Sequence, residues 1–225
     1  MSVHLQEVSH PDPEARIRQD EQWLDSLESG IGEEVLCFWE ATQPFVVVGY
    51  GQSLEREVHV ERCKIGAVPI LRRCSGGGAV VQGPGCLNYS LILRINGREP
   101  LRGVTSTNAW IMEHQRRAMS RLLPGAVTVA GFTDLVWSAG NEDSRGRGRD
   151  RKFSGNAQRR KRHAILFHGT ILHHFDLSLM DELLRMPSAQ PDYRENRPHT
   201  EFVANTGLDP AAIRAAITAE WQAVG

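Results

Sequence analysis

The sequence predicts an α+β domain in which helices flank a mixed, largely antiparallel sheet. Its 225 residues are 40% hydrophobic, which is enough apolar material for one buried core. Short β-branched and aromatic runs are mixed with helical segments, without the strict alternation of a parallel α/β fold. Residues 87–95 also place Leu, Tyr, Leu, Leu and Ile at every second position, a pattern typical of a strand with one buried face. We therefore expect residues 1–225 to form a single domain.

The predicted helices carry apolar residues among charged neighbours. The first follows Asp12, a residue type that caps helix N-termini, and the last follows Asp209 with Pro210 in its first turn. Helices are predicted over residues 13–27, 55–63, 105–123, 177–184 and 210–223.

The predicted strands are short β-branched and aromatic runs separated by turn residues. Two of the longer gaps between predicted elements are connections. Residues 140–151 form a charged connection, and residues 187–200 form a polar, proline-bearing loop. Strands are predicted over residues 35–40, 45–50, 68–73, 87–95, 127–130, 134–138, 153–157 and 164–174.

Composition excludes several classes of protein. The net charge is −1, from 26 basic and 27 acidic residues, which argues against a general nucleic-acid or membrane-surface binder. The N-terminus has no signal-peptide core, and no run approaches the ~18 apolar residues of a membrane span, so we expect a soluble, cytoplasmic protein. Four cysteines lack the spacing of a zinc site and are predicted to be reduced thiols.

The most informative segment is LRRCSGGGAVVQGPGCLNYS at residues 71–90. Three consecutive glycines, at 76–78, leave the backbone without β-carbons, so that a ligand can approach the main chain closely. Arg72 and Arg73 immediately before them supply charge suited to a carboxylate or phosphate. The segment predicts a cradle for an anionic substrate; the alternative is a glycine-rich turn that joins two strands.

A second segment, KFSGNA at residues 152–157, precedes a strand that ends in FHGT at residues 167–170. Lys152 offers a compact charge that can bridge a carbonyl and a phosphate oxygen, and Gly155 lets the backbone pass close to a ligand. The alternative is a solvated surface lysine beside a glycine.

Five segments together resemble the lipoate–protein ligase A family and its biotin-ligase and octanoyltransferase relatives. They are RRCSGGGAV, FTDL at 132–135, KFSGNAQR, FHGT and the stretch 191–200. Their order and spacing match over most of the chain. The resemblance implies a biotin/lipoyl protein ligase-like catalytic domain. It also implies that lipoate or octanoate, held in an apolar tunnel, is activated by ATP with Mg²⁺ as an acyl-adenylate and passed to a lysine of a lipoyl carrier domain.

The same resemblance implies roles for individual residues. Lys152 would be the catalytic residue, holding the acyl carbonyl and the α-phosphate rather than forming a covalent bond. Arg72 and Arg73 would face the anionic end, Asp134 would position nucleotide or metal, and His168 would line the pocket or fix a neighbouring strand. The residues implied to contact substrate or nucleotide are Arg72, Arg73, Ser75, Gly76, Gly77, Gly78, Ala79, Asp134, Ser154, Gly155, Asn156, Ala157, His168 and Gly169.

Two departures from the family bear on the reaction. The run QGPG at 82–85 is similar to the HGPG run of octanoyltransferases, but their thiol nucleophile occurs in a later segment and no cysteine follows Cys86. A thioester mechanism is therefore disfavoured unless Cys86 has taken that role; the alternative is that Cys86 is a small packed residue. Many bacterial ligases also continue into an accessory domain, whereas this sequence stops at Gly225. We expect a separate accessory subunit or the use of a preformed acyl-adenylate.

Two basic runs, three histidines and the FTD run could each suggest another function. The basic run at 145–151 is interpreted as a hairpin tip, and the basic cluster at 158–163 either docks an acidic carrier or forms a solvated strand connection. His173 and His174 with His168 are rejected as a metal site, because adjacent strand residues face opposite sides. Biotin ligase is disfavoured because FTD at 132–134 replaces that group's WPND run.

The preferred function is a lipoate–protein ligase; the alternatives are an ATP-independent acyl transferase between carrier proteins and a non-catalytic lipoate-binding subunit.

Overall fold

The computed structural model describes residues 3–7, 12–138 and 150–224. The predicted connection at 140–151 lies almost wholly outside these residues. The described strands are β1 His4–Glu7, β2 Val35–Trp39, β3 Phe45–Val48, β4 Ile70–Arg72, β5 Val80–Gln82, β6 Cys86–Arg94, β7 Ala126–Ala130, β8 Asp134–Ser138, β9 Arg151–Arg160 and β10 Ala164–Leu172. The described helices are α1 Pro13–Glu28, α2 Leu54–Glu57, α3 Val60–Ile65, α4 Val104–Ser120, α5 Ser178–Leu183, α6 His199–Phe202 and α7 Pro210–Gln222.

The strands form two sheets. The larger has seven strands in the order β1-β2-β6-β10-β9-β8-β7, and the smaller has three in the order β4-β3-β5. Pairs β1/β2 and β3/β4 are parallel, and the other pairs are antiparallel. The predicted fold class, a mixed and largely antiparallel sheet with helices on it, is confirmed.

The long strand β6 divides the molecule into two compartments, because its successive side chains point to opposite faces. Its apolar side chains at residues 87, 89, 91 and 93, together with Ile95 directly after it, pack with α4 and α7 in the main core, as the alternation predicted. On the opposite face, Ile92 packs under α1 and Cys86 packs against the three-stranded sheet. Asn88 and Ser90 lie between those two apolar clusters and face a cavity.

Four element predictions need correction. The helix predicted over 55–63 is the two short helices α2 and α3, because Val58 is extended and bridges to Leu184. Strand β5 lies inside the segment predicted to be a glycine loop, and the short edge strand β1 was not predicted. The loop predicted over 187–200 contains a 3₁₀ turn and the start of α6. Across the described ranges, no helix has both the length and the hydropathy that a bilayer crossing requires.

Candidate active site

A cavity of about 460 Å³ lies between the seven-stranded and three-stranded sheets. Gly77 and Gly78 of the glycine triplet contribute to its wall, and so do Lys152 of β9 and Asp134 of β8. Residues 187–191 line another part of it. Two segments far apart in the sequence therefore meet at one cavity, as the predicted cradle required.

Lys152 is held by an ion pair. Its Nζ lies 2.7 Å from Asp134 Oδ1, and the two side chains are only 25% and 14% exposed. The Tyr193 hydroxyl donates a hydrogen bond of 2.6 Å to the other carboxylate oxygen of Asp134. Burial, reinforced by Asp134, raises the pKa of Tyr193, so the phenol stays protonated and remains a donor.

Gly155 makes room for this lysine. A β-carbon at Gly155 would lie 2.7 Å from Lys152 Nζ, so any larger residue would displace the amine. Asp134 is opposite Gly155 in the β8/β9 register, which brings the carboxylate to the same point. The glycine predicted for close approach to a ligand is thus needed to seat the catalytic candidate itself.

The glycine triplet is folded around the Arg73 guanidinium. Arg73 donates from Nη2 to Gly76 O at 2.6 Å and to Gly78 O at 2.9 Å, and from Nε to Ser75 Oγ at 3.0 Å. Gly77 has φ +89°, a conformation that L-residues rarely adopt. Burial lowers the pKa of Arg73 to about 10, so the side chain is still charged at neutral pH.

Arg72 occupies a different position from Arg73. Its Nη1 donates to the carbonyls of Gly49, Tyr50 and Gln52 at 2.8 to 3.0 Å, and the residue does not line the cavity. The expectation that both arginines face the anionic end therefore fits only Arg73, because consecutive residues leave an extended backbone in opposite directions. Gly76 is exposed and also lies outside the cavity lining.

His168 joins the glycine loop to helix α1. Its Nε2 lies 2.7 Å from Ser75 Oγ, and its Nδ1 lies 3.2 Å from Asp20 Oδ2. Asp20 also accepts from Ser90 Oγ at 2.7 Å and pairs with the fully buried Arg16 at 2.8 Å. Burial alone would raise the pKa of Asp20, but the bonds and charges of His168 and Arg16 outweigh it and hold the pKa below its usual value.

Asn156 points away from the Lys152 amine, because its neighbour Gly155 faces the cavity side of β9. Its Oδ1 accepts from Tyr89 OH at 2.6 Å, and its Nδ2 donates to Thr133 O at 2.7 Å. A β-carbon at Gly169 would overlap the Asn156 amide oxygen. The absence of a side chain at Gly169 therefore leaves room for the Asn156 amide. The side chain of Asn156 ties neighbouring strands together, although the residue also contributes to the cavity lining.

The remaining predicted contact residues surround the same site. Ser154 Oγ lies 3.3 Å from Asn156 Nδ2, and Ser75 is fully buried behind the loop. The predicted positions that line the cavity are Arg73, Gly77, Gly78, Ala79, Asp134, Lys152, Ser154, Gly155, Asn156, Ala157, His168 and Gly169. The binding roles of these residues stay predictions.

Cys86 does not have the environment of a nucleophile. It is fully buried, lies outside the cavity lining, and burial raises its pKa well above the usual value. All four cysteines are among the described residues, and burial raises the pKa of each, to about 11 for Cys37 and Cys74. A thiolate at neutral pH is disfavoured at all four positions.

The described residues contain no group of three or more His, Cys, Asp or Glu side chains arranged to hold a metal ion. His173 instead contacts Glu40 through Nε2 at 3.0 Å and His174 through Nδ1 at 3.2 Å. Near Lys152, Asp134 is a candidate ligand for the Mg²⁺ that accompanies a nucleotide, but both of its oxygens are engaged. One carboxylate suits Mg²⁺ only if phosphate oxygens complete its shell.

The basic cluster at 158–163 is largely satisfied within the chain. Arg160 donates to Leu101 O at 2.6 Å, Lys161 pairs with Asp25, and Arg159 lies over the Tyr50 ring at 5.7 Å. These contacts favour a solvated strand connection over a free docking patch.

Several residues of the site were missed from the sequence. Asp20 reaches it through tertiary packing, and no local pattern marks it. Tyr193 lies in the stretch 191–200 that carries part of the resemblance, but no role was assigned to it. Asn88 and Ser90 did leave a signal, since they are the polar positions of an otherwise apolar strand and face the cavity.

The chain belongs to the lipoyl protein ligase A/B catalytic domain family, whose model matches residues 12–206. Lipoate-protein ligase A subunit 1 of Thermoplasma acidophilum is 27% identical over 165 residues, which cover 71% of this chain and 59% of the relative. Octanoyltransferase LipM of Symbiobacterium thermophilum is 28% identical over 190 residues, covering 75% of this chain and 65% of the relative. The chain therefore spans less than two thirds of the length of these relatives.

Solved structures share the fold. A bi-partite lipoate protein ligase from Thermoplasma acidophilum, described together with its E2 lipoyl domain, superposes with a TM-score of 0.76 at 21% identity, covering 99% of this chain and 83% of that chain. A lipoate-protein ligase A bound with ATP gives a TM-score of 0.76 at 23% identity, covering 99% and 85%.

Proposed function

We propose that the protein is a lipoate–protein ligase. It activates lipoate, or octanoate, with ATP to the acyl-adenylate and transfers the acyl group to a lysine of a lipoyl carrier domain. The observation that carries the proposal is the single cavity shared by the Lys152 amine and the glycine loop. Membership of the lipoyl protein ligase A/B family supports it.

The chemistry needs a cation at the point where negative charge develops. In the first step a carboxylate oxygen of the acid bonds to the α-phosphorus and pyrophosphate leaves; in the second an amine bonds to the acyl carbon and AMP leaves. Lys152, half-buried and already oriented by Asp134, is suited to hold the acyl carbonyl and α-phosphate oxygens through both steps. Mg²⁺ would neutralise the nucleotide phosphates, with Asp134 as its candidate protein ligand.

The apolar walls suit the acyl chain. Ile17, Trp39, Val47 and Val81 line the cavity away from the charged pair, and they come from α1 and from both sheets. A medium-chain acid buried there exchanges water contact for these side chains, which is the main source of affinity for such a ligand.

The test is incubation of the protein with ATP, lipoate and an apo-carrier domain, in the presence of the accessory subunit inferred below, measuring AMP release and the mass of the carrier. We expect one AMP for each carrier that gains a lipoyl group. Acylation of the carrier from an octanoyl-carrier donor without ATP, and no AMP release with lipoate, would contradict the ligase.

An ATP-independent acyl transferase is the second candidate, favoured by the similarity to octanoyltransferase LipM. The buried thiol of Cys86 and its raised pKa count against a thioester intermediate. A non-catalytic lipoate-binding subunit is disfavoured because the Lys152–Asp134 pair and the glycine cradle are both present.

We infer further that residues 1–225 act as one catalytic domain together with a separate accessory subunit. The support is the Thermoplasma acidophilum relative, a subunit 1, and the bi-partite ligase of the same fold. Supplying preformed lipoyl-adenylate tests this inference, because it bypasses activation. Transfer from the adenylate should proceed without the accessory subunit, whereas activation from ATP should require it.

A further inference from the structure

Two arginines of the segment 191–200 are buried without a carboxylate partner. Arg194 and Arg197 are 4% and 8% exposed, and neither forms an ion pair with any residue that the structure describes. Their guanidinium groups lie 4.7 and 5.2 Å from the centre of the Phe202 ring. Removing a cation from water is costly unless an anion or hydrogen bonds compensate it. The two side chains differ in how far they have that compensation.

Arg197 is fully engaged by backbone carbonyls. Its Nε donates to Arg194 O at 3.1 Å, its Nη1 to Asp150 O at 3.0 Å and its Nη2 to Tyr193 O at 2.8 Å. It does not line the cavity. Arg197 therefore has a structural role, which is to hold the turn that carries Tyr193 and Arg194.

Arg194 keeps hydrogen-bond donors free and lines the cavity. Its Nε donates to Arg197 O at 3.0 Å, but its Nη2 reaches only the Met186 sulfur, a weak acceptor, at 3.7 Å. Nη1 has no hydrogen-bond partner within the described residues, yet it is not sealed from solvent. Burial lowers the pKa of Arg194, and the nearby Asp181 only partly offsets this, since its carboxylate bonds Thr200. The guanidinium can therefore bind an anion that enters the cavity.

Arg194 lies beside the Lys152 ion pair. The Tyr193 hydroxyl bonds Asp134, and the Tyr193 ring lies 5.1 Å from Phe202, the same ring that the Arg194 guanidinium covers. The residue after Phe202 forms a β-bridge with Lys152. The two cations therefore belong to one part of the cavity, with the Asp134 carboxylate and the Tyr193 phenol between them.

The apolar lining lies on the other side of Lys152. Trp39 belongs to β2, three strands away from β9 in the large sheet, and α1, which carries Ile17, packs on β6 and β10 between them. Tyr193 contacts β8, on the opposite side of β9. An acyl chain that takes the apolar side places its carboxylate at Lys152 and leaves the side of Arg194 to the nucleotide.

We propose that Arg194 binds the β- and γ-phosphates of ATP, the part that leaves as pyrophosphate. The subsite rests on the proposed function and adds the leaving-group end of the activation step. A planar guanidinium with two adjacent free donors suits phosphate oxygens. The buried position of Arg194 favours a small anion inside the cavity over a carboxylate on the surface of a protein partner.

The subsite acts where negative charge is released. When a carboxylate oxygen of the acid bonds to the α-phosphorus, the bond from that phosphorus to the bridging oxygen breaks. Its electron pair leaves on the pyrophosphate, and no proton has to move. Arg194 stabilises this added charge, while Lys152 stays with the acyl carbonyl and the α-phosphate.

The two half-reactions separate this subsite from the rest of the site, because the acyl-adenylate has already lost the β- and γ-phosphates. ATP–pyrophosphate exchange with lipoate and the accessory subunit reports activation, and transfer from preformed lipoyl-adenylate to the apo-carrier reports the second step. Arg194→Met should raise the KM for ATP and for pyrophosphate about 10- to 100-fold, the range for hydrogen bonds between charged groups. Transfer should stay within about 2-fold of wild type.

Binding without turnover gives a second readout. In calorimetric titration, with the accessory subunit present, Arg194→Met should weaken ATP and pyrophosphate at least 10-fold and leave AMP within about 2-fold. Arg185→Met removes an exposed arginine just after α5 and is the matched control, which should change none of these affinities. If Arg194→Met proves unstable in a thermal melt, Arg194→Lys takes its place. It keeps the charge without the planar fork and should weaken ATP by about 3- to 10-fold.

Each result has a definite meaning. Unchanged binding of ATP and pyrophosphate in folded Arg194→Met overturns the subsite. An equal loss of AMP affinity or of transfer also overturns it and would indicate a contact with the α-phosphate or the adenosine instead. If the wild type binds pyrophosphate through Arg194 but shows no exchange, the ligase proposal fails and the anion subsite remains. If the wild type binds neither ATP nor pyrophosphate, both proposals fall.

Discussion

The Lys152 amine and the Asp134 carboxylate lie 2.7 Å apart at the wall of the cavity. The carboxylate is fixed from its other side by the Tyr193 phenol at 2.6 Å, so the amine has a defined position in the free protein. A cation that is oriented before the substrate arrives needs little reorganisation when negative charge develops. Replacing any of the three should therefore alter catalysis more than folding.

Lys152→Ala should lower acyl transfer by about 100- to 1,000-fold, the usual effect of removing one group that stabilises developing charge. Circular dichroism should show an unchanged fold. Lys161→Ala is the matched control, because the Lys161 amine pairs with Asp25. Wild-type transfer rates in Lys152→Ala would contradict the role assigned to the amine.

Tyr193→Phe keeps the ring and removes the hydrogen bond to Asp134. We expect kcat to fall about 10-fold with little change in KM for lipoate, because the amine loses orientation and the pocket stays intact. Tyr50→Phe, at a side chain 67% exposed, should have no effect. A rise in KM alone would instead assign Tyr193 to substrate binding.

Cys86→Ser distinguishes the two reaction classes. Since the thiol is fully buried and outside the cavity lining, transfer should stay within about 2-fold of wild type. Burying a hydroxyl in place of the thiol should cost about 1–3 kcal/mol in a thermal melt. Loss of activity in a folded variant, together with an acylated wild-type enzyme in mass spectrometry, would support the transferase.

Asp20 should make stability sensitive to acid. Its pKa is held below the usual value because the bonds and charges of His168 and Arg16 outweigh burial, so the folded state binds the proton less readily than the unfolded chain. The stabilisation is complete above the unfolded pKa of about 3.9 and is lost as pH falls through the lower folded pKa. Asp20→Asn should cost about 3 kcal/mol at pH 7, since it leaves buried Arg16 without its partner. The difference in Tm between the variant and wild type should narrow between pH 5 and pH 2, measured by scanning calorimetry.

Arg72→Ala and Arg73→Ala should have different effects on stability and on lipoate binding, although the sequence predicted the same role for both arginines. Arg72 anchors the turn at 49–52, so its loss should lower stability and leave the affinity for lipoate within about 3-fold. Arg73 holds the glycine loop, so its loss should weaken lipoate binding at least 10-fold in calorimetric titration. If the two variants weakened lipoate binding equally, Arg72 would also have to contribute to the binding site.

Much of the fold followed from local patterns. The alternation at 87–95 predicted a strand and the side chains that enter the main core, although both faces of that strand are buried. Asp12 and Asp209 predicted helix starts that the structure confirms, with Asp12 accepting from Glu14 N. The strand at Val80–Gln82 was hidden because glycines flank it and because it is defined by pairing with β3, which local sequence does not reveal. Local sequence carries little information about so short an element.

The site was predictable where a motif placed several groups together, as at Lys152, Gly155 and the glycine triplet. It was not predictable where one side chain crosses a long stretch of sequence to reach its partner, as Asp20 does to His168 and Tyr193 does to Asp134. The different positions of Arg72 and Arg73 were not predicted, because both side chains were expected at the anionic end although neighbours on an extended chain point in opposite directions.

One face of the strand Cys86–Arg94 packs in the main core, and Asn88 and Ser90 on its other face line the cavity. Substitutions at Asn88 or Ser90 would change the cavity wall without touching the main core, but Ser90 also donates a hydrogen bond to the buried Asp20. An inserted or deleted residue in the same strand would exchange the two sets at once. This stretch should resist any change of length, and Asn88 is a better position than Ser90 for altering the cavity wall, because its side chain bonds Cys86 O and Thr170 instead of Asp20.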